Sequence, residues 1–393
     1  MKKNNLSTII DFGASKLRLG VFDENLTNLF FQTKEVYQND NFEEYLKSVK
    51  SIIREAENKI STHIETITVL YDTPEIRSID FCIKKKLDQS TNFKEVISSI
   101  ILEANNLVKN CYTNKKIIHL IVKKYIIDDK EFLNIPDEIP KLDNIIIEIK
   151  FIFLPYSKYQ NIFEIFKKNN LKVLNFFSSS LVKSFKYIDF FHKNKFVAFL
   201  DIGLDRSTLI FFKNQKIDFL NNIPIGGNNV SKDISQIMKL KLSESEKLKK
   251  IFNKSETEFS YSNTNFSDNN IIKEIIGKNV SINLLKKIVL ARVEEIIKLS
   301  FIDINISENI DREQDLNLVL IGNGSKIFNK NSFQLEDKYN FKEINFYEES
   351  DLEICIAGLK FEKSLKEEIL EKLKKNQKKI GFFHRFFNFF GNG

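Results

Sequence analysis

The sequence has no tryptophan, two methionines, four histidines and only three cysteines. Cys82, Cys111 and Cys355 are far apart and form no C-x-x-C pair. This argues against a disulfide framework and is consistent with a reducing cytoplasm. The histidines show no spacing typical of a metal site. Phenylalanine occurs 37 times, which indicates a biased composition more than a special chemistry.

Long apolar runs are also missing. No run reaches transmembrane length, and no secretory signal is recognised before the first predicted strand. The net charge is +7, but Lys and Glu are mixed along most of the chain. Such mixing is typical of solvated surfaces, so we expect no nucleic-acid partner. With 393 residues, 42% hydrophobic and 29% charged, the chain is expected to form two or three folded domains.

One short pattern, Asp-x-Gly between two apolar runs, occurs twice. Asp11-Phe12-Gly13 and Asp201-Ile202-Gly203 each interrupt a run that is typical of two buried strands joined by a tight turn. Glycine at such a turn lets a ligand approach the backbone amides. One copy alone means little, because short patterns recur by chance. Two copies, one in each half of the chain, predict a duplicated fold with a nucleotide polyphosphate and its cation between the halves.

Two further glycine turns follow in the second half. Gly226 and Gly227 lead into a predicted helix whose N-cap is Ser231 or Asn229. This segment fits a plain turn with a cap as well as it fits backbone amides held against a phosphate. The second turn, Gly322-Asn-Gly-Ser325, follows a buried strand.

Together these patterns resemble the actin-like ATPase superfamily and, within it, the bacterial FtsA cell-division proteins. The resemblance extends over nearly the whole chain, and its more specific parts are residues 226–234, 245–249 and 291–296. It implies an α/β protein with the actin-like ATPase fold. That fold has two duplicated halves with mixed sheets, an extra inserted α+β subdomain and a C-terminal amphipathic helix.

The resemblance also implies a division of the chain. The first actin-like subdomain would comprise residues 1–79 and 156–195, the inserted α+β subdomain 80–155, the second actin-like subdomain 196–228 and 313–362, the small helical subdomain of the second half 229–312, a linker 363–379, and a membrane-targeting amphipathic helix 380–393.

An ATP site with Mg²⁺ is implied as well. Its nucleotide-binding residues would be Asp11, Gly13, Ser15 and Lys16 in the first phosphate motif, Asp201 and Gly203 in the second, Gly226 and Gly227, Glu246 and Lys249 at the ribose and adenine edge, and Gly322, Gly324 and Ser325 over the base. Asp11 and Asp201 would hold the cation mostly through water, and Lys16 would balance phosphate charge.

Two departures from the family pattern bear on catalysis. Leu204 and Asp205 stand where relatives usually continue with glycines, so the amides around the phosphates are expected to form a weaker cradle. Hydrolysing relatives tend to carry an acid or amide near the position of Ser179, and serine cannot act as a carboxylate base. We therefore expect ATP binding with slow or negligible turnover, so that the protein is at most a weak ATPase.

The C-terminal stretch 380–391 is rich in phenylalanine. Placed on a helix, one face carries Ile380, Phe383, Phe386, Phe387 and Phe390. Such a helix is about 16 Å long against about 30 Å of hydrocarbon, so it would lie in a membrane interface instead of spanning the bilayer. The alternative is a helix docked on the protein's own core. Four lysines between 374 and 379 favour an anionic membrane surface.

The resemblance therefore predicts an ATP-binding, self-polymerising cell-division protein. It would tether the FtsZ ring to the cytoplasmic face of the bacterial inner membrane at the division site, with FtsZ, other division proteins, further copies of itself and anionic lipid as partners. One alternative is a pilus-assembly scaffold of the PilM type, which shares the fold and the inserted subdomain. A less favoured one is a sugar-kinase-type phosphotransferase, which needs a catalytic carboxylate and has no use for the phenylalanine-rich end.

Overall fold

The computed structural model describes residues 6–36, 42–86, 93–135, 144–254, 282–302, 316–327 and 341–374. The chain forms two compact units. The first comprises Met1–His192, Lys213–Leu220 and Ser350–Gly393, and the second comprises Lys193–Phe212 and Asn221–Glu349. The finer division into six segments stays a prediction.

The first unit contains a five-stranded sheet and, inserted into it, a four-stranded one. Its strands are β1 (Ser7–Phe12), β2 (Lys16–Phe22), β3 (Asn28–Glu35), β4 (Thr66–Tyr71), β5 (Arg77–Lys86), β6 (Lys115–Ile127), β7 (Lys130–Phe132), β8 (Asn144–Pro155) and β9 (Lys172–Phe177). Its helices are α1 (Phe42–Ile60), α2 (Phe93–Cys111), α3 (Tyr156–Lys168) and α4 (Ser179–Tyr187), followed by a short 3₁₀ turn (Ile188–Phe191).

The larger sheet has the strand order β3-β2-β1-β4-β9. The first three strands form an antiparallel meander, and β4 and β9 continue the sheet in parallel. The C-terminal helix of the described chain (Asp351–Lys374) packs on β1, β2 and α4. A side chain at Gly358 would approach Ile9 within 2.8 Å, so glycine at this position lets the helix lie close to the sheet.

The inserted sheet has the order β5-β8-β6-β7, with every pairing antiparallel. Its elements extend from Arg77 to Pro155. Alternate residues of the strands, such as Ile145, Ile147 and Ile149, are buried together with Ile100 and Ala104 of α2. This period of two on the strands against a helical stripe closes a core within the inserted segment.

The second five-stranded sheet repeats the order of the first. Its strands are β10 (Phe196–Ile202), β11 (Ser207–Lys213), β12 (Lys216–Ile223), β13 (Leu316–Ile321) and β14 (Glu343–Phe346), and the described helices before β13 are α5 (Gly227–Met238), α6 (Leu242–Lys254) and α7 (Ile282–Phe301). These elements belong to the second unit except for residues Lys213–Leu220, which are grouped with the first. The order β12-β11-β10-β13-β14 matches β3-β2-β1-β4-β9 strand for strand. In both sheets the first strand pairs in parallel with the fourth. The chain thus has the duplicated actin-like ATPase fold that the sequence predicts.

Two local expectations were wrong. Helix α5 begins at Gly227 with Gly226 as its N-cap, and Asn229 accepts the Gly226 amide instead of capping the helix itself. The helix that starts at Asp351 (hereafter α8) continues to Lys374, so the first part of the expected linker is helical. Its sequence from 366 to 374 is made of glutamate, leucine, isoleucine and lysine, of which all but isoleucine are strong helix formers.

Other expectations fall outside the described residues. The predicted membrane-binding residues Ile380, Phe383, Phe386, Phe387 and Phe390 all lie beyond the last described position. Within the described helices, none combines the length and the apolar character needed to cross a bilayer.

Candidate functional site

The two Asp-x-Gly turns have the same backbone hydrogen bond. The Gly13 amide donates to the Lys16 carbonyl at 3.0 Å, and the Gly203 amide donates to the Arg206 carbonyl at 2.8 Å. The aspartates before them are buried, with 4% of Asp11 and 2% of Asp201 exposed. The repeated sequence pattern therefore corresponds to a repeated structure, and each copy buries one carboxylate.

In the first unit, both oxygens of Asp11 have partners. Arg18 Nη1 donates to Asp11 Oδ2 at 2.7 Å, and Ser179 Oγ donates to Asp11 Oδ1 at 2.8 Å. Arg18 also donates through Nε to Asp351 Oδ1 at 2.6 Å. Burial disfavours the charged form of Arg18, but Asp11 and Asp351 outweigh it and raise the arginine pKa. Asp11 is thus part of a buried, charge-paired network.

Lys16 belongs to the same network. Its Nζ donates to Asp351 Oδ2 at 2.9 Å. Burial opposes the ionisation of Asp351, yet the hydrogen bonds from Arg18 and Lys16 dominate and lower its pKa. Lys16, which the resemblance assigns to phosphate charge, is therefore bound to a carboxylate of its own unit. Ser15, also assigned to the first phosphate motif, accepts the Val36 amide through its carbonyl at 3.0 Å.

The second unit brings three predicted glycine segments together. The Gly227 amide donates to the Gly203 carbonyl at 2.9 Å, and the Asn228 amide donates to the Leu204 carbonyl at 2.8 Å. A Cβ on Gly227 would lie 3.8 Å from the Gly324 Cα, and one on Gly324 would lie 2.7 Å from the Gly203 carbonyl oxygen. The turns at 203, 226 and 322 therefore meet backbone to backbone.

Glycine is required at these contacts by space and, at one position, by conformation. Gly322 has φ +84°, and a Cβ there would lie 2.2 Å from Asp201 Oδ1. A Cβ on Gly226 would lie 2.6 Å from the Leu204 carbonyl oxygen. Ser325 closes the third turn by donating its amide and its hydroxyl to the Gly322 carbonyl. The glycines of the second unit that the resemblance assigns to a nucleotide thus form one cluster.

One interpretation of the sequence is that backbone amides at the start of α5 are held against a phosphate. The structure gives these amides acceptors within the protein. The Gly227 and Asn228 amides donate to the turn carbonyls of residues 203 and 204, and the Gly226 amide donates to Asn229 Oδ1 at 3.0 Å. Internal acceptors therefore occupy the first donors of this helix. What Gly226 and Gly227 supply is close backbone packing between turn and helix.

Lys249 and Glu246 of α6 lie against this cluster. Lys249 Nζ donates to the Gly227 carbonyl at 2.8 Å and to Glu246 Oε2 at 2.6 Å, and Ser231 Oγ donates to the same carboxylate oxygen. Burial lowers the pKa of Lys249, and the pairing with Glu246 opposes this shift. The Glu246 side chain keeps 31% of its surface exposed. An ammonium and a partly exposed carboxylate beside three glycine turns are suited to hydroxyl and ring-nitrogen groups of a ligand.

Leu204 and Asp205, which depart from the family pattern in the second turn, both accept hydrogen bonds. Leu204 accepts the Asn228 amide through its carbonyl, and Asp205 Oδ1 accepts from the Asn228 side chain at 3.3 Å. Arg206 Nη1 lies 3.7 Å from Asp201 Oδ2 and donates to Thr208 Oγ1 at 2.7 Å. The buried Asp201 carboxylate therefore has a guanidinium of its own turn close by.

Direct ligation of Mg²⁺ by Asp11 would compete with the contacts that its carboxylate already makes. Both Asp11 oxygens accept hydrogen bonds, one of them from a cation. Within the described ranges, no group of three or more His, Cys, Asp or Glu side chains is placed to hold a metal ion.

Sequence reasoning missed Arg18, Arg206 and Asp351. One signal was present: a hairpin that turns at 13–15 places residue 18 directly across from residue 11, which is the register that the structure has. The contact of Arg18 with Asp351 has no such signal, because 333 positions separate the two residues.

Comparison with known proteins supports the FtsA resemblance. The family model described as Cell division protein FtsA matches residues 198–330, a segment that contains every candidate residue of the second unit. The Cell division protein FtsA of Bacillus subtilis is 25% identical over 189 residues, which are 47% of this chain and 41% of that protein. The Streptococcus pneumoniae protein of the same name is 21% identical over 283 residues, 70% of this chain and 59% of that protein. The chain thus matches about half the length of these curated relatives.

A similar solved structure is a chain of a PilM-PilN type IV pilus biogenesis complex. It has a TM-score of 0.53 and 12% identity, with 90% of each chain covered. At this identity the likeness concerns the fold, and it agrees with the duplicated sheets described above.

Proposed function

We propose that this protein is an ATP-binding, actin-like cell-division protein that polymerises and tethers the FtsZ ring to the cytoplasmic face of the inner membrane. The observation that carries the nucleotide part is the meeting of the three glycine turns with Lys249 and Glu246 in the second unit. All of these residues fall in the segment that matches the FtsA family model. ATP is the ligand because the matched residues are those of the family's adenosine and phosphate motifs.

In this proposal the chain's own residues have separate tasks. Glu246 accepts from ribose hydroxyls, and Lys249 presents its ammonium to the adenine edge while it stays anchored on the Gly227 carbonyl. The turn at Gly322–Ser325 lies flat against residues 202 and 203 and covers the base. Tethering and FtsZ binding are proposed from the FtsA resemblance and from the phenylalanine-rich sequence at 380–390.

Replacing Lys249 by methionine is expected to weaken ATP binding by about tenfold or more, since a hydrogen bond to a charged group contributes about 1.5–3 kcal/mol. Methionine keeps an unbranched apolar stem, so the packing of α6 is largely retained. Isothermal titration calorimetry of ATP into both proteins measures the difference.

The matched control is Lys247→Met, because Lys247 lies two positions away on α6 and is exposed. It should bind ATP like the parent protein. Equal affinities for the Lys249 variant, the Lys247 variant and the parent would contradict the proposed site.

ATP turnover is expected to be slower than about 1 per second, the low end of the usual enzyme range. Ser179 supplies no carboxylate base, and its hydroxyl already donates to Asp11. A phosphate-release assay on protein saturated with ATP measures the rate. Ser179→Ala should leave this slow rate unchanged, whereas fast turnover that is lost in the variant would show that Ser179 takes part in catalysis.

The PilM-type scaffold is the second candidate, favoured by the likeness of fold to the PilM-PilN chain. The two candidates differ in their partner. Anionic vesicles carrying the full chain should recruit purified FtsZ filaments if the protein is a division tether. Vesicle binding without any FtsZ recruitment would favour a scaffold for a different assembly.

A further inference from the structure

Three lysines and two tyrosines lie close together at one end of the inserted sheet, beside α3. They are Lys109, Tyr112, Lys115, Lys116 and Tyr159, hereafter the lysine–tyrosine patch. Helix α2 carries the first of these lysines in its last turn. The Lys115 amide donates to the Tyr112 carbonyl at 3.0 Å, so the chain turns directly from this helix into β6. Strand β8, which pairs with β6, leads straight into α3 and Tyr159. All five residues belong to the first unit.

The two β6 lysines of the patch rest on aromatic rings. Lys115 Nζ lies 5.2 Å from the centre of the Tyr112 ring and 5.8 Å from that of Phe153. Lys116 Nζ lies 5.1 Å from the centre of the Tyr159 ring. Such cation–π contacts attract the ammonium and restrict its position, but a ring carries no net charge. Both lysines therefore keep a positive charge that no anion balances within these contacts.

The lysines of the patch also lack carboxylate partners. Lys109, Lys115 and Lys116 form no ion pair in the part of the chain that the structure describes, whereas Lys124, farther along β6, lies 2.6 Å from a Glu131 oxygen. Burial lowers the pKa of Lys116, and the charge of Lys109 lowers it further. The half-buried ammonium thus loses hydration and is repelled by a like charge. A carboxylate brought against it would offset both effects.

The patch suits carboxylates better than a nucleic acid. Tyr159 stacks on Phe163 at 5.6 Å and Tyr112 lies 5.1 Å from Phe153, while a lysine covers each tyrosine ring. Both rings are thus engaged within the protein, which disfavours the stacking of a nucleobase on them. The patch contains no arginine, the side chain whose planar fork matches a phosphate.

We propose that the lysine–tyrosine patch is the docking surface for an acidic segment of a partner protein. Carboxylates of that segment pair with Lys115 and Lys116, and the exposed Lys109 attracts further negative charge. Tyr156, 45% exposed at the start of α3, donates its amide to the Asn114 carbonyl at 2.9 Å and offers an apolar contact beside the lysines. Because rings already restrict the two β6 lysines, pairing costs them less side-chain entropy than it costs a free surface lysine.

Titration of the full chain with fluorescein-labelled decaglutamate, followed by fluorescence anisotropy, tests this surface. We expect binding that weakens as salt screens the charges. Lys115→Gln combined with Lys116→Gln should lower the affinity by about tenfold or more, because it removes both central charges. Lys115→Arg combined with Lys116→Arg keeps the charges and the ring contacts, so it should bind like the parent. An unchanged affinity in the glutamine variant, or no binding by the parent, would overturn the proposal.

The matched control is Lys286→Gln combined with Lys287→Gln. These lysines are adjacent and exposed on α7, and neither forms an ion pair with a described residue. The control removes the same charge from another surface and should bind decaglutamate like the parent. Equal losses in the two double variants would mean that the probe responds only to the net charge of +7, against the proposal. Thermal unfolding verifies that each variant is folded, and Lys115→Gln alone, with a smaller expected loss, serves if the double variant does not fold.

Two further probes separate an acidic protein segment from other anions. An oligothymidylate of matched length represents the phosphates of a nucleic acid, and vesicles of phosphatidylglycerol and phosphatidylcholine represent an anionic membrane. We expect the parent and the glutamine double variant to bind each of these probes equally. If the glutamine variant instead loses oligothymidylate or vesicle binding as strongly as decaglutamate binding, the patch is a general anion surface and the proposed acidic protein partner is wrong.

Discussion

Lowering the pH from 6.5 to 4 is expected to destabilise the first unit by about 3 kcal/mol through His119 alone. Burial lowers the pKa of this histidine to about 3 from 6.5. The unfolded chain therefore binds more protons than the folded chain between these two values. The stability that neutral His119 allows is fully present above pH 6.5 and is lost progressively as the pH falls towards 3.

The surroundings of His119 explain the shift. The side chain is 1% exposed on β6, and its ring stacks on Phe177 at 5.6 Å and meets the edge of Phe361 at 6.0 Å. Nε2 accepts the Ser178 amide at 2.9 Å. Nδ1 is buried without a hydrogen-bond partner among the described residues. Protonation would place a charge among aromatic rings and would also remove the acceptor of the Ser178 amide.

His119→Gln removes the titration and keeps an acceptor for Ser178. Between pH 7 and pH 4, we expect the unfolding free energy of the variant to fall by about 3 kcal/mol less than that of the parent. Urea unfolding at both pH values measures this difference. His63→Gln is the control, because 67% of the His63 side chain is exposed, and it should show the acid sensitivity of the parent. Equal losses in all three proteins would mean that His119 has the same pKa in the folded and in the unfolded chain, which would contradict the prediction.

The parts of the fold that the sequence predicted well are local. Strands β1, β2, β10 and β11 follow from apolar runs interrupted by Asp-x-Gly, because a turn of this kind is decided by a few adjacent residues. Strands β7 and β14 were not predicted. They contain three and four residues, which is too short for a period of two to stand out from the surrounding sequence.

The site shows the same division between local and distant information. The sequence predicts glycine turns at 226, 322 and 324, and the structure brings these positions together. What the glycines do was not predictable, because the amides of α5 are taken by the carbonyls of a turn more than 20 positions earlier. The neutral cluster of Asp11, Arg18, Lys16 and Asp351 likewise depends on a helix from the far end of the chain.

The C-terminal stretch is expected to attach an inert carrier protein to anionic vesicles by itself. Each phenylalanine buried in an apolar phase contributes roughly 1.5–3 kcal/mol, and each lysine or arginine near an anionic surface adds about 1 kcal/mol. Folding a short helix at the interface offsets part of this gain, since such a helix is largely disordered in water. Polymerisation of the full chain would strengthen attachment, because many tails then act together.

Phe386→Glu combined with Phe387→Glu is expected to abolish this attachment in a vesicle co-sedimentation assay, because it places two charges in the middle of the apolar face formed by Ile380, Phe383, Phe386, Phe387 and Phe390. Arg385→Ala is the matched control. Placed on a helix, Arg385 falls on the opposite, polar face. The substitution should therefore only weaken binding, and the loss should grow smaller as salt screens the anionic surface. If the double glutamate variant still sediments with anionic vesicles at physiological salt, the apolar face does not hold the lipid. The alternative of a helix docked on the protein's own core would then explain its phenylalanines.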